Sequence, residues 1–513
     1  MSFFTDIFAG DKFPFWNYIT SIDTASFLRK MKKNNLLMLL FGISICSCSC
    51  KKEPLSKSPI ENRYVDVVYD SNKSKTELSF EEIKEDLETF IYLLETSYAG
   101  FEDAVERGLD LNIQKQKILS SIDKQKKTSV YDFLSILYKN FETYIRDYHA
   151  SLAYENVSYI FIKPYDVYFT DIYVQKIGEA YYKYGNNSNE IRTGAQYESE
   201  IDKIFYYPGK GIDIYRLGII SSENVDKICV KFNGKDYNIH VEKCSKENSD
   251  FAFFEKESDK SVYIKYNRCR FNNSAELESL KTFAKSAEKY RNKEFIIIDV
   301  RGNYGGDSNY GTEFLAKLYN QKSSLNDVFE ESRTILSPVS IDSMIKSLNA
   351  NCDVNDSRIK KTIKGFKNLR KLNDKKAYKI IKNTNKNFIL KDNPDFKGKI
   401  IFITDSVTAS SGEYIIATSQ TLFGKTKQVI QLGQNTAGCV SYGNLCRYYL
   451  SNSGIRVALS ITDMSRNFKG NDSYHGEGYG FFPNYWAENE DLNDTIYYVT
   501  KDKEMYDNLK ELL

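Results

Sequence analysis

The chain has three histidines in 513 residues and, despite nine cysteines, no C-x-x-C pair. The missing pairs remove the usual spacing of a structural zinc or dithiol redox site. An excess of one charge is missing too. Seventy-one Lys and Arg stand against 69 Asp and Glu, a net charge of +2, so nothing favours nucleic acid globally. Proline is scarce while Lys, Asn, Ile and Tyr abound, a bias we read at the codon level. No internal repeat or low-complexity tract stands out. The apolar run Leu36 to Ile45 has ten residues, too few to span a bilayer as a helix.

What is present is a globular composition, 41% hydrophobic and 27% charged, with length for about three domains. Arg29, Lys30, Lys32 and Lys33 precede the apolar run, which fits a secretory signal. Cys46, Cys48 and Cys50 follow it. Ile45-Cys46-Ser47-Cys48 resembles a bacterial lipobox, which implies lipidation of Cys48, with Cys50 as runner-up. A plain signal peptide with incidental cysteines is the alternative. Residues 1–30 read as an over-extended start, 31–47 as the signal and 48–75 as a polar tether. The expected location is the cell envelope, at the outer membrane, facing periplasm or cell surface. Six cysteines remain downstream. Cys439 and Cys446 bracket Tyr442-Gly443-Asn444 and are spaced to close a hairpin; free buried thiols are the equal alternative.

From Ser79 the pattern is helical, with Glu81 and Glu82 in the first turn and Leu87, Phe90, Ile91 and Leu94 at helical spacing. Val130 to Tyr144 repeats it, so residues 76–155 read as a helical cap. Residues 156–255 alternate like strands, and Asn233-Gly234 is a hairpin turn. Residues 256–500 read as an α/β core. Within it, Ser274 to Tyr290 is an amphipathic helix and Phe295 to Val300 a buried strand. Residues 318–392 read as a helical insertion. Arg358 to Lys391 is densely basic, with Asp374 its only acid. Acidic substrate and anionic lipid are candidate ligands for it; a solvated helix face is the plainer reading.

The most informative stretch is Thr408-Ala409-Ser410-Ser411-Gly412-Glu413, between the strand run at Ile400 and a helix start at Tyr414. Such a turn lifts a serine hydroxyl and aims free N–H groups at what it attacks. Taken alone, it equally describes a helix N-cap. A serine nucleophile needs a base. His240 lies in an alternating strand and reads as structural. Spacing alone prefers neither His149 nor His475.

Four segments in order change the weighting. They are Asp147-Tyr148-His149-Ala150-Ser151-Leu152; Asp299-Val300-Arg301-Gly302-Asn303-Tyr304-Gly305-Gly306; the Ser410 turn; and Glu477-Gly478-Tyr479-Gly480-Phe481-Phe482-Pro483-Asn484. Together they resemble the tail-specific (C-terminal processing) serine peptidases, and most closely the tricorn-core-like branch. The resemblance covers roughly residues 80 to 490. It implies a crotonase-like α/β protease core with a helical N-terminal cap and a diverged PDZ-like β domain. It implies a peptidase with Ser410 as nucleophile, His149 as base and Glu477 orienting the imidazole. Ser411 and Gly305 or Gly306 would supply the oxyanion hole, and Asp299 and Arg301 would buttress the turn. No metal or cofactor is implied, and the partners are protein or peptide substrate. Cys439 stands where the other branch carries a lysine base, which speaks against a Ser–Lys dyad. Asn484 replaces the family's aspartate. The rival function is a catalytically idle relative that binds peptides or apolar ligands.

Overall fold

The computed structural model describes residues 65–68, 75–185, 194–200, 203–247, 250–320, 329, 331–351, 357–373, 379–384, 395–423 and 428–513. The lipobox and its cysteines and part of the basic run lie outside these residues. The chain forms two compact units. One gathers residues 1–162, 329–388 and 441–469; the other gathers 163–328, 389–440 and 470–513.

In the first unit, Ser79 caps the helix Phe80–Ser97 through a reciprocal capping box with Glu82. Ser129 caps the helix Val130–Phe141. The apolar stripes of these helices meet at Leu87, Phe90, Phe133 and Phe141, all fully buried. They share one core with an antiparallel sheet ordered Lys379–Thr384, Glu331–Leu336, Arg456–Asp463, Ser151–Tyr154 and Val157–Ile160, with Tyr442–Tyr449 also paired to Arg456–Asp463. The expected insertion therefore contains two strands as well as the helices Pro338–Asn351 and Ser357–Asn373. Its apolar residues, among them Leu336, Ile341, Leu348 and Phe366, join the core of the helical cap. The end of the expected tether is docked as well, since Asp66 bridges to Tyr449 and Val65 is buried.

Of the two readings for Cys439 and Cys446, the closed hairpin is not formed and free buried thiols are found. Tyr442 and Gly443 belong to a strand and pair with Asp463 and Thr462. Both cysteines are free thiols, as are Cys229, Cys244 and Cys269.

In the second unit, residues 166–243 form an eight-stranded antiparallel sheet. Asn233 and Gly234 make its tight hairpin turn, both with positive φ. The remaining sheet runs in the order Phe253–Glu257, Ser261–Tyr266, Phe295–Asp299, Lys399–Thr404, Val429–Gly433, Tyr485–Trp486. Its first pair is antiparallel and the rest parallel. The central strands are unbroken apolar runs because helices cover both faces. Leu492, Ile496, Met505 and Leu509 pack on one face against Ile297, Ile401 and Leu432. On the helices Ser274–Ser286 and Asn309–Tyr319, Phe283 and Phe314 stack at 4.6 Å, and Phe283 stacks on Tyr266 at 4.0 Å. This is the α/β class expected. Parallel strands put their loops at the carboxyl edge, where α/β sheets form sites.

Candidate active site

Strands Phe295–Asp299 and Lys399–Thr404 are parallel neighbours, with Asp299 opposite Ile403. Their exit loops are therefore adjacent and are sewn together. Val300 N–H donates to the Ile403 carbonyl at 3.0 Å, and Ala409 N–H to the Asn303 carbonyl at 2.8 Å. Thr408 Oγ1 donates to the Val300 carbonyl at 2.9 Å. Asp405 is wholly buried at the base of both loops. Its carboxylate accepts N–H bonds from Gly302, Val407, Thr408 and Glu247. Asp299 and Arg301 are buried and bonded to each other, and Asp299 also takes Lys265 and the Tyr263 hydroxyl. These cations hold the Asp299 carboxyl well below the usual carboxylate range despite burial. That pair braces the turn.

Ser410 follows at the head of the helix Ser411–Phe423 with φ of +53°. The capping serines Ser79 and Ser129 have φ of −75° and −64°. A left-handed non-glycine residue is uncommon and needs a structure that fixes it. Glu413 supplies part of that structure: Ser410 N–H donates to its Oε2 at 3.2 Å. The same carboxylate accepts Cys439 N–H at 2.6 Å, Gly438 N–H at 2.9 Å and the Thr436 hydroxyl. Burial pushes the Glu413 carboxyl up to about 7, against the pull of these donors.

Among the described residues, Ser411 N–H and Gly306 N–H donate to nothing. Gly305 N–H is taken by Asn303 Oδ1 at 3.0 Å. Ser411 Oγ donates to the Gly306 carbonyl at 2.7 Å, which ties the glycine turn to the serine turn. A Cβ on Gly305 would lie 2.8 Å from Ser410 Cβ and 3.0 Å from Ser411 N, so only glycine fits there.

Glu477 lies in a loop shaped by Gly476, Gly478 and Gly480, all with positive φ. Tyr474 donates to Glu477 Oε1 at 3.2 Å. The loop is fixed through Gly478 N–H to the Gly438 carbonyl at 2.8 Å and Phe481 N–H to Thr436 Oγ1 at 2.7 Å. Thr436 thus joins Glu413 to the loop that carries Glu477. Asn484 exchanges bonds with the Gln431 main chain and takes no part here.

His149 belongs to the first unit, between the helix Val130–Phe141 and the strand Ser151–Tyr154. Its N–H donates to Asp147 Oδ1 at 2.8 Å, and its Nδ1 lies 3.8 Å from the same atom. Its side chain is only 16% exposed, and burial lowers its pKa to about 4. Burial pushes the neighbouring Asp147 carboxyl up to about 6, opposed by bonds from Ser460, His149 and Ala150. His475 stacks its exposed ring on Phe482 at 3.7 Å. His240 is exposed on its strand, with Nδ1 2.8 Å from the Asp226 carbonyl.

The second unit therefore brings Ser410, Ser411, Gly305 and Gly306 together, with the Glu477 loop joined through Thr436. Glu413, Asp405 and Asn303 were not singled out by sequence reasoning. Glu413 and Asn303 lie within the quoted motif segments, whereas Asp405 gave no signal. No group of residues that could hold a metal occurs among the described residues.

Residues 260–479 match the family model described as peptidase family S41. No curated protein matches the sequence. Among solved structures, mature CPAF is 13% identical, with 84% of this chain and 97% of that one covered and a TM-score of 0.39. The photosystem II D1 C-terminal processing protease is 11% identical, with 79% and 93% covered and a TM-score of 0.31. The tricorn protease is 15% identical, with 84% and 37% covered and a TM-score of 0.33.

Proposed function

We propose that this chain, whose residues 260–479 match the model of peptidase family S41, is a serine endopeptidase working through Ser410, His149 and Glu477. His149 takes the Ser410 proton as the oxygen attacks the peptide carbonyl, then gives it to the leaving amine. Water repeats the two steps to free the acyl group. Glu477 holds the imidazole in one tautomer and stabilises the imidazolium. The developing oxyanion is received by the N–H groups of Ser411 and Gly306, since Gly305 N–H is already engaged. The mechanism requires His149 of the first unit to come within hydrogen-bond reach of Ser410 of the second. It uses no metal or cofactor. The substrates are proteins or peptides, met in the cell envelope by a protein lipidated at Cys48.

The observation that carries this reading is the left-handed Ser410 followed by an unengaged Ser411 N–H. Every helix start leaves its first N–H free, but the ordinary caps Ser79 and Ser129 are extended, so the left-handed φ is what sets Ser410 apart. The test is covalent labelling by a serine-directed fluorophosphonate, which requires an activated hydroxyl. Ser410→Ala should abolish labelling and His149→Ala should nearly do so, because such groups act as one unit. Glu477→Gln should be milder, and His475→Ala should retain most activity. A wild-type protein that neither labels nor cleaves unstructured protein, yet binds peptide, would be the idle relative instead.

A further inference from the structure

The helix Ser357–Asn373 carries basic residues at Arg358, Lys360, Lys361, Lys364, Lys367, Arg370 and Lys371, and no acid. At 100° per residue, Lys360, Lys364, Lys367 and Lys371 fall within about 60° of one another, a single stripe about 16 Å long. Ile359, Phe366 and Leu369 point elsewhere, into the core of the first unit. The stripe therefore faces outward, and all four lysines are exposed. Among the described residues none of them is ion-paired; on this helix Arg370 alone pairs, with Asp342. Lys360, Lys364 and Lys367 also line, with Ile363 and Asn349, a shallow cleft of about 380 Å³ against the preceding helix.

The same unit receives the N-terminal chain. Tyr449 N–H donates to the Asp66 carbonyl at 2.8 Å, and Lys346 of the preceding helix lies 5.6 Å over the Tyr449 ring. The chain thus enters the fold beside the helix against which the basic one packs. Cys48 is 18 residues upstream of Asp66. Eighteen residues reach at most about 65 Å when extended, so a lipid on Cys48 would hold this face near a membrane.

We propose that the lysine stripe of Ser357–Asn373 is a docking surface for an anionic phospholipid bilayer. A straight row of exposed lysines, with no ion pair among the described residues, suits a plane of headgroups better than one small anion. The cleft gives one phosphate a recess among three of those lysines, and their aliphatic stems leave the charges free to reach the surface. Proximity to the membrane rests on the proposed lipid anchor, whereas the lysine stripe is present in unlipidated protein as well.

The experiment uses unlipidated protein from residue 51 onward, which keeps every described residue, with vesicles of phosphatidylcholine alone or with about 30% phosphatidylglycerol. Wild type should co-sediment with the anionic vesicles only, and less as salt shortens the screening length. Lys360→Glu, Lys364→Glu, Lys367→Glu and Lys371→Glu combined should lower partitioning at least about tenfold, with fluorophosphonate labelling unchanged. An equal reversal at Lys227, Lys235, Lys256 and Lys260 should leave binding near wild type. Should the first combination fail to melt cooperatively, the same four positions as glutamine should show the same loss. Three results would each overturn the proposal: equal binding to neutral vesicles, equal loss in the two combinations, or lysine-dependent binding of polyglutamate with none to vesicles. Release of the protein by millimolar inorganic phosphate at constant ionic strength would assign the cleft to a free anion and overturn it too.

Discussion

Ser410 N–H donates to the Glu413 carboxylate at 3.2 Å, and that bond ties the left-handed serine to a buried acid three residues on. Both oxygens of Glu413 are saturated by donors, Ser410 and Cys439 on Oε2, Thr436 and Gly438 on Oε1. A glutamine must aim its NH₂ at a main-chain N–H whichever way it turns. We expect Glu413→Gln to lower kcat about 100-fold with KM little changed, because an unsatisfied buried donor costs about 1–3 kcal/mol and the serine turn would relax. Steady-state kinetics beside a thermal melt would check this. A normal kcat would mean that Ser410 holds its conformation without Glu413.

How much of this was legible beforehand differs by residue. The strands at Phe295 and Ile400 and the helix after Ser410 were readable, since unbroken apolar runs and a small-residue turn are local signals. Asp299 and Arg301 were readable as braces through the resemblance of their segment. Asp405 was not, because its partners Gly302 and Glu247 come from distant segments and no spacing rule joins them. The strands Glu331–Leu336 and Lys379–Thr384 were not readable, because each is only six residues long and their pairing with each other is long-range. The choice of His149 over His475 came from the resemblance, not from spacing.

Gly305→Ala should remove activity while leaving the chain folded. Gly305 has φ of +98°, which alanine adopts only with strain, and the new Cβ would press on Ser410 Cβ. The serine or the glycine turn must shift by tenths of an ångström, enough to misplace both oxyanion donors. We expect at least about a 100-fold loss of kcat, with unchanged peptide affinity measured on a Ser410→Ala background. Loss of cooperative unfolding instead would show that Gly305 serves the fold rather than the site.

The acid limb of the pH–rate profile should lie well below the ordinary histidine value. Burial lowers His149 to about 4 from the ordinary histidine value of about 6.5. Between those values the unfolded chain binds a proton that the folded chain does not. This histidine's stabilising contribution is therefore present above pH 6.5 and is lost as pH falls toward 4. Asp147, raised to about 6, has the opposite sign between its ordinary value and 6, so stability alone will not isolate either group. Activity does, because only the neutral imidazole is a base. We expect kcat/KM to hold until about pH 5. A half-maximum at or above pH 6.5 would argue against a buried neutral base.

The mature N-terminus should be a lipid-modified Cys48, or failing that Cys50. The apolar segment Leu36 to Ile45 has ten residues, about half of what a spanning helix needs. No described helix is long and apolar enough to cross a membrane. Retention at a membrane therefore calls for another source of apolar area, and acyl chains on a cysteine supply about 0.8 kcal/mol per buried methylene. Two or more chains hold a protein stably where one does not. Cys48→Ala should release the protein into the soluble fraction or shift modification to Cys50, and mass spectrometry of the membrane-extracted protein should find the acyl groups. A mature chain beginning at an intact Met1 or Met31 would remove both the anchor and the envelope location.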